Sequence, residues 1–325
     1  GPPASRIRGR ARQPGAGSVT VRLTSVGIAV LDLVLFVDEL PRAARKHLAR
    51  DRRTVLGGMA ANAAAAAAHL GARARLVSRV GDDPPGALIL AELAALGIVA
   101  DSVQRVAGLA SSLSAVLVDP AGERLLVNHG DPALFEDAAA PAAAALGAFD
   151  VLLVDGRWPR AAVAALEAAG ARGLPGLADL DHRMAEPWAG RLLATASHLC
   201  FSRDGLERWT GAREPAAGLR AIAARSPAEL AVTLGGEGVL LCTAGGFRHL
   251  PAFPVRAVDT LGAGDTFHGA LATALGEGRP WVEALRFAAA AAAIRCTRPS
   301  GRDAFPTRAE VLALLAAHAR SEREP

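Results

Sequence analysis

Tyrosine is absent from this 325-residue sequence, aromatic residues make up only 4% of it, and cysteine occurs three times. Each scarcity excludes something. Proteins that hold nucleic acid by stacking interleave aromatic and basic residues; no such stripe is present, so nucleic acid is not expected as a partner. Cys200, Cys242 and Cys296 are odd in number, widely separated and outside any metal-ligand spacing, which argues against a disulfide framework or a zinc site and for thiols in a reducing cytoplasm. No apolar run reaches the roughly 20 residues that cross a bilayer, because the Ala-rich stretches are interrupted by Asn62, His69 or Arg295. The formal charge of +4 says little about partners, since Arg6, Arg8, Arg10 and Arg12 account for all of it. These arginines lie among Gly, Pro, Ala and Ser without the apolar core of a secretory signal, and residues 1–20 read as a flexible basic tail.

What is present is a hydrophobic content of 51%, enough for one large core. Strand-like segments Val26 to Val30, Arg75 to Val80, Val151 to Val154, His198 to Phe201, Leu230 to Leu234 and Val239 to Cys242 alternate with helical stretches at Ala60 to Leu70, Ala87 to Leu96, Arg160 to Ala169, Thr266 to Leu275, Trp281 to Arg295 and Arg308 to Ala319. That alternation predicts an α/β sheet covered by helices. The Ala tracts at Ala63 to Ala68 and Ala288 to Ala293 read as compositional drift inside helices. Two segments break the rhythm, residues 31–56 and 111–129, the second as a hairpin turning at Asp119, Pro120, Ala121 and Gly122. Together they suit a small β-sheet lid over one end of the main domain, which runs from residue 21 to 325.

The strongest local signal is Asp259, Thr260, Leu261, Gly262, Ala263, Gly264, Asp265, followed by a helical run. Glycines flanking a small residue let successive N–H groups and a helix N-terminus converge on one anion. Asp265, expected at the first helical position, can accept a proton from an alcohol while those amides hold phosphoryl oxygens. The helix dipole is expected to keep its pKa low, which phosphoryl transfer tolerates. Helix capping is the commoner fate of an Asp there, and the motif alone does not decide. Gly57 and Gly58 precede Asn62 at the start of the first Ala-rich helix, where the glycines admit a ligand to the backbone and Asn62 offers both a donor and an acceptor. Thr233, Gly235, Gly236 and Gly238 form a hairpin turn that can double as a nucleotide-contacting loop.

Taken together these residues resemble the ribokinase-like (PfkB) carbohydrate kinases. The Asp259 to Asp265 run is highly specific to that family, and Asp32, the Gly57–Gly58 pair, the Thr233 to Gly238 loop and the lid segments follow its order. The resemblance implies a three-layer α/β/α domain with a small β lid that often forms a homodimer interface, and Mg2+ with ATP as donor. It makes Asp265 the base, Gly262, Ala263 and Gly264 the anion hole, Asp32, Gly58 and Asn62 the holders of sugar hydroxyls, and Thr233, Gly235, Gly236 and Gly238 the nucleotide contacts. One departure stands out: the family's Asn-x-x-Glu magnesium motif is replaced by Ser202, Arg203, Asp204 and Gly205, so the metal ligands are unknown, with Asp179, Asp181 and Asp204 as candidates acting through water.

A closer similarity is to the sulfofructose kinases, carried by Gly27 to Asp32, Glu123 to Asn128, Val151 to Trp158, Pro251 to Ala270 and Arg286 to Arg302. It implies that Lys46, Asn128 and Arg157 bind a sulfonate and that 6-deoxy-6-sulfofructose is phosphorylated at C1; Asn62 follows the wider family instead. A neutral ketohexose or another sugar, such as fructose or 2-keto-3-deoxygluconate, and a non-catalytic sugar- and nucleotide-binding regulator remain the alternatives.

Overall fold

The computed structural model describes residues 20–321; apart from Thr20, the expected basic tail lies outside them. The chain opens with β1 (Arg22–Val26), β2 (Val30–Phe36) and β3 (Asp51–Gly57), then α1 (Met59–His69), β4 (Arg73–Gly81), α2 (Pro84–Ala95), β5 (Val99–Val106), β6 (Leu113–Val118), β7 (Arg124–His129) and the short α3 (Pro132–Phe135). The central portion continues as β8 (Val151–Asp155), α4 (Pro159–Ala171), β9 (Gly176–Leu180), α5 (Trp188–Thr195), β10 (His198–Ser202), α6 (Arg203–Thr210) and α7 (Pro215–Ala223). It closes with β11 (Glu229–Thr233), β12 (Val239–Thr243), β13 (Gly246–Leu250), α8 (Ala263–Gly276), α9 (Trp281–Cys296) and α10 (Arg308–Ser321).

A nine-stranded sheet runs β13-β12-β11-β10-β9-β8-β1-β4-β5. Its strands are parallel from β5 to β11, while β12 and β13 add an antiparallel edge. Parallel strands need both faces covered, and β8 and β9 are buried at every position. One face packs against α1, α2, α8, α9 and α10, the other against α3 through α7. This is the three-layer α/β/α arrangement expected. Leu153, Leu177 and Phe201 are among the fully buried side chains, each contributing roughly 1.5–3 kcal/mol.

A second sheet, β3-β2-β6-β7, takes two strands from each segment that interrupts the α/β rhythm. Its inner face carries Val34, Val116 and Val118, and Leu261, from the turn before α8, packs with them. The small sheet is also tied down by polar bonds: Arg124 Nη2 donates to Thr260 Oγ1 at 2.9 Å, and Arg53 Nη1 to the carbonyl of Ser300 at 2.7 Å.

The alanine tracts are not drift. Ala63 through Ala67 of α1 are all buried, and α1 lies against α8 so closely that a Cβ on Gly269 would come within 2.2 Å of the Ala63 carbonyl oxygen. Only residues without bulk let two helix backbones meet in this way. The contact sets α1 beside the first turn of α8.

Candidate active site

The turn before α8 holds Gly262 at φ 72°, in the left-handed region, as the residue preceding the helix. Ala263 N–H donates back to the Thr260 carbonyl at 3.2 Å and Thr266 N–H to that of Gly262 at 2.9 Å. Helix geometry leaves the amides of Gly264 and Asp265 without intrahelical acceptors, and a Cβ on Gly264 would meet nothing within 4 Å. Of the amides in this turn, those of Gly264 and Asp265 are left without intrahelical acceptors, while Ala263 N–H is engaged with the Thr260 carbonyl. Asp265 is the third residue of α8, not the first as expected, and no side chain caps the helix.

Asp265 faces α1 instead. Asn62 Nδ2 donates to Asp265 Oδ2 at 2.7 Å, which orients that carboxylate oxygen. Asp32 and Asn62 line a cleft of about 480 Å³ together with Leu261, Gly262, Arg295 and Phe305, a volume suited to a small ligand, and Asp265 is joined to that lining through its bond with Asn62. Gly57 explains how Asp32 fits there, because a Cβ at Gly57 would come within 2.3 Å of the Asp32 carboxylate. Gly58 begins α1 at φ 90°, and any Cβ there would strike the Ile28 carbonyl at 2.6 Å.

Beneath this loop lies a residue that sequence reasoning missed. Buried Asp155, at the end of β8, accepts from Ile28 N–H at 2.8 Å, Ala60 N–H at 3.3 Å and Arg157 N–H at 3.0 Å. A Cβ on Gly27 would fall within 2.1 Å of it. Asp155 therefore joins the end of β1, the start of α1 and the turn after β8, and burial pushes its pKa up to about 7 against those amides.

A second buried acid tunes Asp265. One helical turn beyond it, His268 Nδ1 sits 3.0 Å from Asp179 Oδ2, both almost wholly enclosed. Burial works against the imidazolium, but the carboxylate raises His268 well above its ordinary value. Burial, and then repulsion from Asp179, pushes the Asp265 carboxyl up to about 7 despite the Asn62 hydrogen bond. The low value expected from the helix dipole does not hold. Dehydration and a like charge outweigh a dipole effect of roughly 0.3–1 kcal/mol.

The remaining candidates are distributed around this centre. Thr233 ends β11 beside Ser202 of β10, and Gly235 to Glu237 make a tight 3-10 turn before Gly238 at φ 102°. Both lie at the carboxyl ends of parallel strands, where α/β sheets bind ligands. Ser202 caps α6 by accepting from Gly205 N–H at 2.9 Å. Asn128 pairs across β6 with Ser114, and Ser114 with Asp32 across β2, so these three side chains share one face of the small sheet. Lys46 is exposed in the segment between β2 and β3. Arg157 Nη2 is 3.0 Å from Asp181 Oδ2. Among the described residues no hydrogen bond or ion pair joins Lys46, Asn128 and Arg157 to one another.

Residues 21–308 match the model of the pfkB family carbohydrate kinase. The chain belongs to the pfkB family of carbohydrate kinases. It is 32% identical over 296 residues to the ribokinase of Bacillus subtilis, spanning 89% of this chain and 98% of that protein. It is 34% identical to the ATP-dependent ribose-1-phosphate kinase of Halopiger xanaduensis over 91% of this chain and 98% of that one. The structure of Arabidopsis thaliana ribokinase complexed with ribose and ATP superimposes with a TM-score of 0.80 at 27% identity, covering 91% of this chain and 99% of the other. This pfkB-family chain is an ATP-dependent sugar kinase, and its reaction uses Mg2+. The residues present fit that pair of groups. The open space at Gly264 admits a phosphoryl group, and Asp181 Oδ1 is buried without a hydrogen-bond partner, available to a magnesium-bound water.

The pKa of Asp265 carries a pH prediction. A base must be deprotonated to act, so kcat/KM is expected to rise about tenfold per pH unit below neutrality and level off above about 7. A steady-state profile from pH 5.5 to 8.5 checks it; a plateau already reached at pH 5.5 contradicts the raised value.

Proposed function

We propose that this kinase transfers the terminal phosphoryl group of ATP to a hydroxyl of a ribose-sized sugar seated between Asp32 and Asp265. The carrying observation is the 2.7 Å hydrogen bond that Asp265 accepts from Asn62, a residue lining the same cleft as Asp32 and Gly262. Asp32, Asn62 and Gly58 hold the sugar; Asp265 Oδ1 takes the hydroxyl proton as the bond to phosphorus forms. The amides of Gly264 and Asp265 hold charge on the transferring group, and Gly262 and Ala263 shape the turn that aims them. Thr233, Gly235, Gly236 and Gly238 border the nucleotide, and a bound Mg2+, held through water by Asp181, would supply charge neutralisation to its phosphates. The small sheet, residues 31–56 and 111–129, acts as a lid that excludes water. Its outer face is apolar, with Leu125 37% and Val127 60% exposed, and suits pairing with a second copy. Ribose is the first acceptor to test, because a ribokinase aligns along nearly its whole length.

A second acceptor class is favoured by one observation. Arg157 stands half-exposed in the turn after β8, its Nη2 held 3.0 Å from Asp181 Oδ2, and with Asn128 and Lys46 it suits a sugar bearing a fixed negative group such as the sulfonate of 6-deoxy-6-sulfofructose, phosphorylated at C1. A planar guanidinium matches such an anion. Sugar-dependent ADP release across ribose, fructose, 2-keto-3-deoxygluconate and 6-deoxy-6-sulfofructose decides between them. On the anionic reading, Arg157→Ala lowers kcat/KM for the sulfonated sugar about tenfold or more and for ribose less than about twofold. An equal loss on both sugars rejects an anion-specific role, and no ADP release with any sugar rejects the kinase assignment of this site.

A further inference from the structure

Arg295 has no part in the mechanism above, yet it is the most deeply enclosed cation at the cleft. Only 4% of it is exposed, although arginine is almost never buried without partners. It sits in the last turn of α9, and its Nη1 donates to the carbonyl oxygens of Arg298 at 3.0 Å and Asp259 at 3.4 Å. Nη2 donates to Ser300 Oγ at 3.0 Å. Ser300 passes the connection on, its amide donating to Asp259 Oδ2 at 2.8 Å and its hydroxyl bonding the same oxygen. The other oxygen, Asp259 Oδ1, accepts from Leu261 N–H at 2.8 Å. A Cβ on Gly262 would lie 4.0 Å from Arg295 Nε, 3.8 Å from Asn62 Nδ2 and 3.9 Å from Asp265 Oδ2. Gly262 thus has the catalytic pair on one side and this guanidinium on another.

We infer that Arg295 is a positioning residue whose guanidinium, through Ser300 and Asp259, holds the turn from Asp259 to Gly262 in the shape that aims the amides of α8 at the transferring phosphoryl group. Capping α9 alone would not require burial, because an exposed basic side chain at a helix C-terminus already meets the last carbonyls. Burying a guanidinium is costly unless its N–H groups find oxygens, and here the oxygens come from two loops that must be kept in register. A planar fork can meet three oxygens in two directions; an ammonium cannot hold them in that geometry.

The inference rests on the phosphoryl-binding role proposed for the turn, and Asp265→Asn measured alongside separates the two. Arg295→Ala is expected to lower kcat on the order of 10²-fold, the loss a misplacement of about an ångström can cause, with KM for the sugar within about threefold because Asp32 and Asn62 are untouched. Arg295→Lys should recover less than half of the loss. Guanidinium chloride at a few millimolar should raise kcat of Arg295→Ala several-fold without raising that of the parent, while the same concentration of sodium chloride does not. Ser300→Ala, which breaks the relay without removing a buried charge, should cost about fivefold in kcat and serves if the arginine variants do not fold. Parental kcat in folded Arg295→Ala or in Ser300→Ala, or equal gains from both salts, overturns the inference. Near-parental turnover in Asp265→Asn overturns the site reading beneath it.

Discussion

Asp265→Asn is expected to lower kcat about 10³-fold while ATP binding stays within a factor of about three. An amide matches the carboxylate in size but cannot take the hydroxyl proton, so the loss falls on the chemical step. The phosphoryl contacts proposed for the backbone of Gly264 and Asp265 do not depend on the side chain, so nucleotide affinity is expected to persist. Misfolding is not a rival explanation, because the substitution removes a carboxylate that burial and Asp179 both penalise; the thermal midpoint should hold or rise. Single-turnover kinetics with labelled ATP, a nucleotide titration and a melting curve check all three parts. Turnover within tenfold of the parent would remove Asp265 from the role of base.

Asp32→Ala should reduce kcat/KM for the sugar by about 10²- to 10³-fold, with the KM for ATP nearly constant. A site that binds hydroxyls through buried polar groups loses heavily when one is deleted. Asp32 is buried to 8% exposure, burial raises its pKa against the hydrogen bond from Ser114, and Gly57 is bare so that its carboxylate fits. Such a carboxylate, costly to dehydrate, is best stabilised by a ligand that brings donors. Initial rates across both substrates separate the parameters; an equal rise in both KM values would mean that the cleft itself had changed shape.

The parts of this site legible in the sequence are those whose reason is local. The run from Asp259 to Asp265 encodes its own turn, since Gly262 at φ 72° admits no ordinary side chain. The Gly57–Gly58 pair likewise announces a close approach, although only the fold shows that Gly57 yields to Asp32 and Gly58 to the Ile28 carbonyl. What was illegible is set between distant segments. The charge state of Asp265 depends on Asp179 of β9, and the relay from Arg295 to Asp259 crosses from one helix end to another loop. A signal for the His268–Asp179 pair did exist: a histidine one turn after Asp265, in a run otherwise apolar.

The fold shows the same division. The interior strands of Val151 to Val154 and His198 to Phe201 are plain hydrophobic runs, and the structure places them where expected. The edge strands β5 and β13, mixed with Asp101, Gln104, Arg105, Arg248 and His249, carry no such pattern because one flank meets solvent. β9 was hidden by its leading Gly176 and by Asp179, which break up its short apolar run. The segment Val26 to Val30 is not one strand; Gly27 at φ 154° ends β1 beside Asp155, and β2 starts at Val30 in the other sheet.

The hydrogen bond between Asn62 and Asp265 spans 203 residues of chain, and the bare backbone contact of Ala63 with Gly269 is what makes it possible. Neither half of the polypeptide can hold the reactive pair alone. The pair therefore forms only once α1 and α8, from the first and last portions of the chain, have docked against each other.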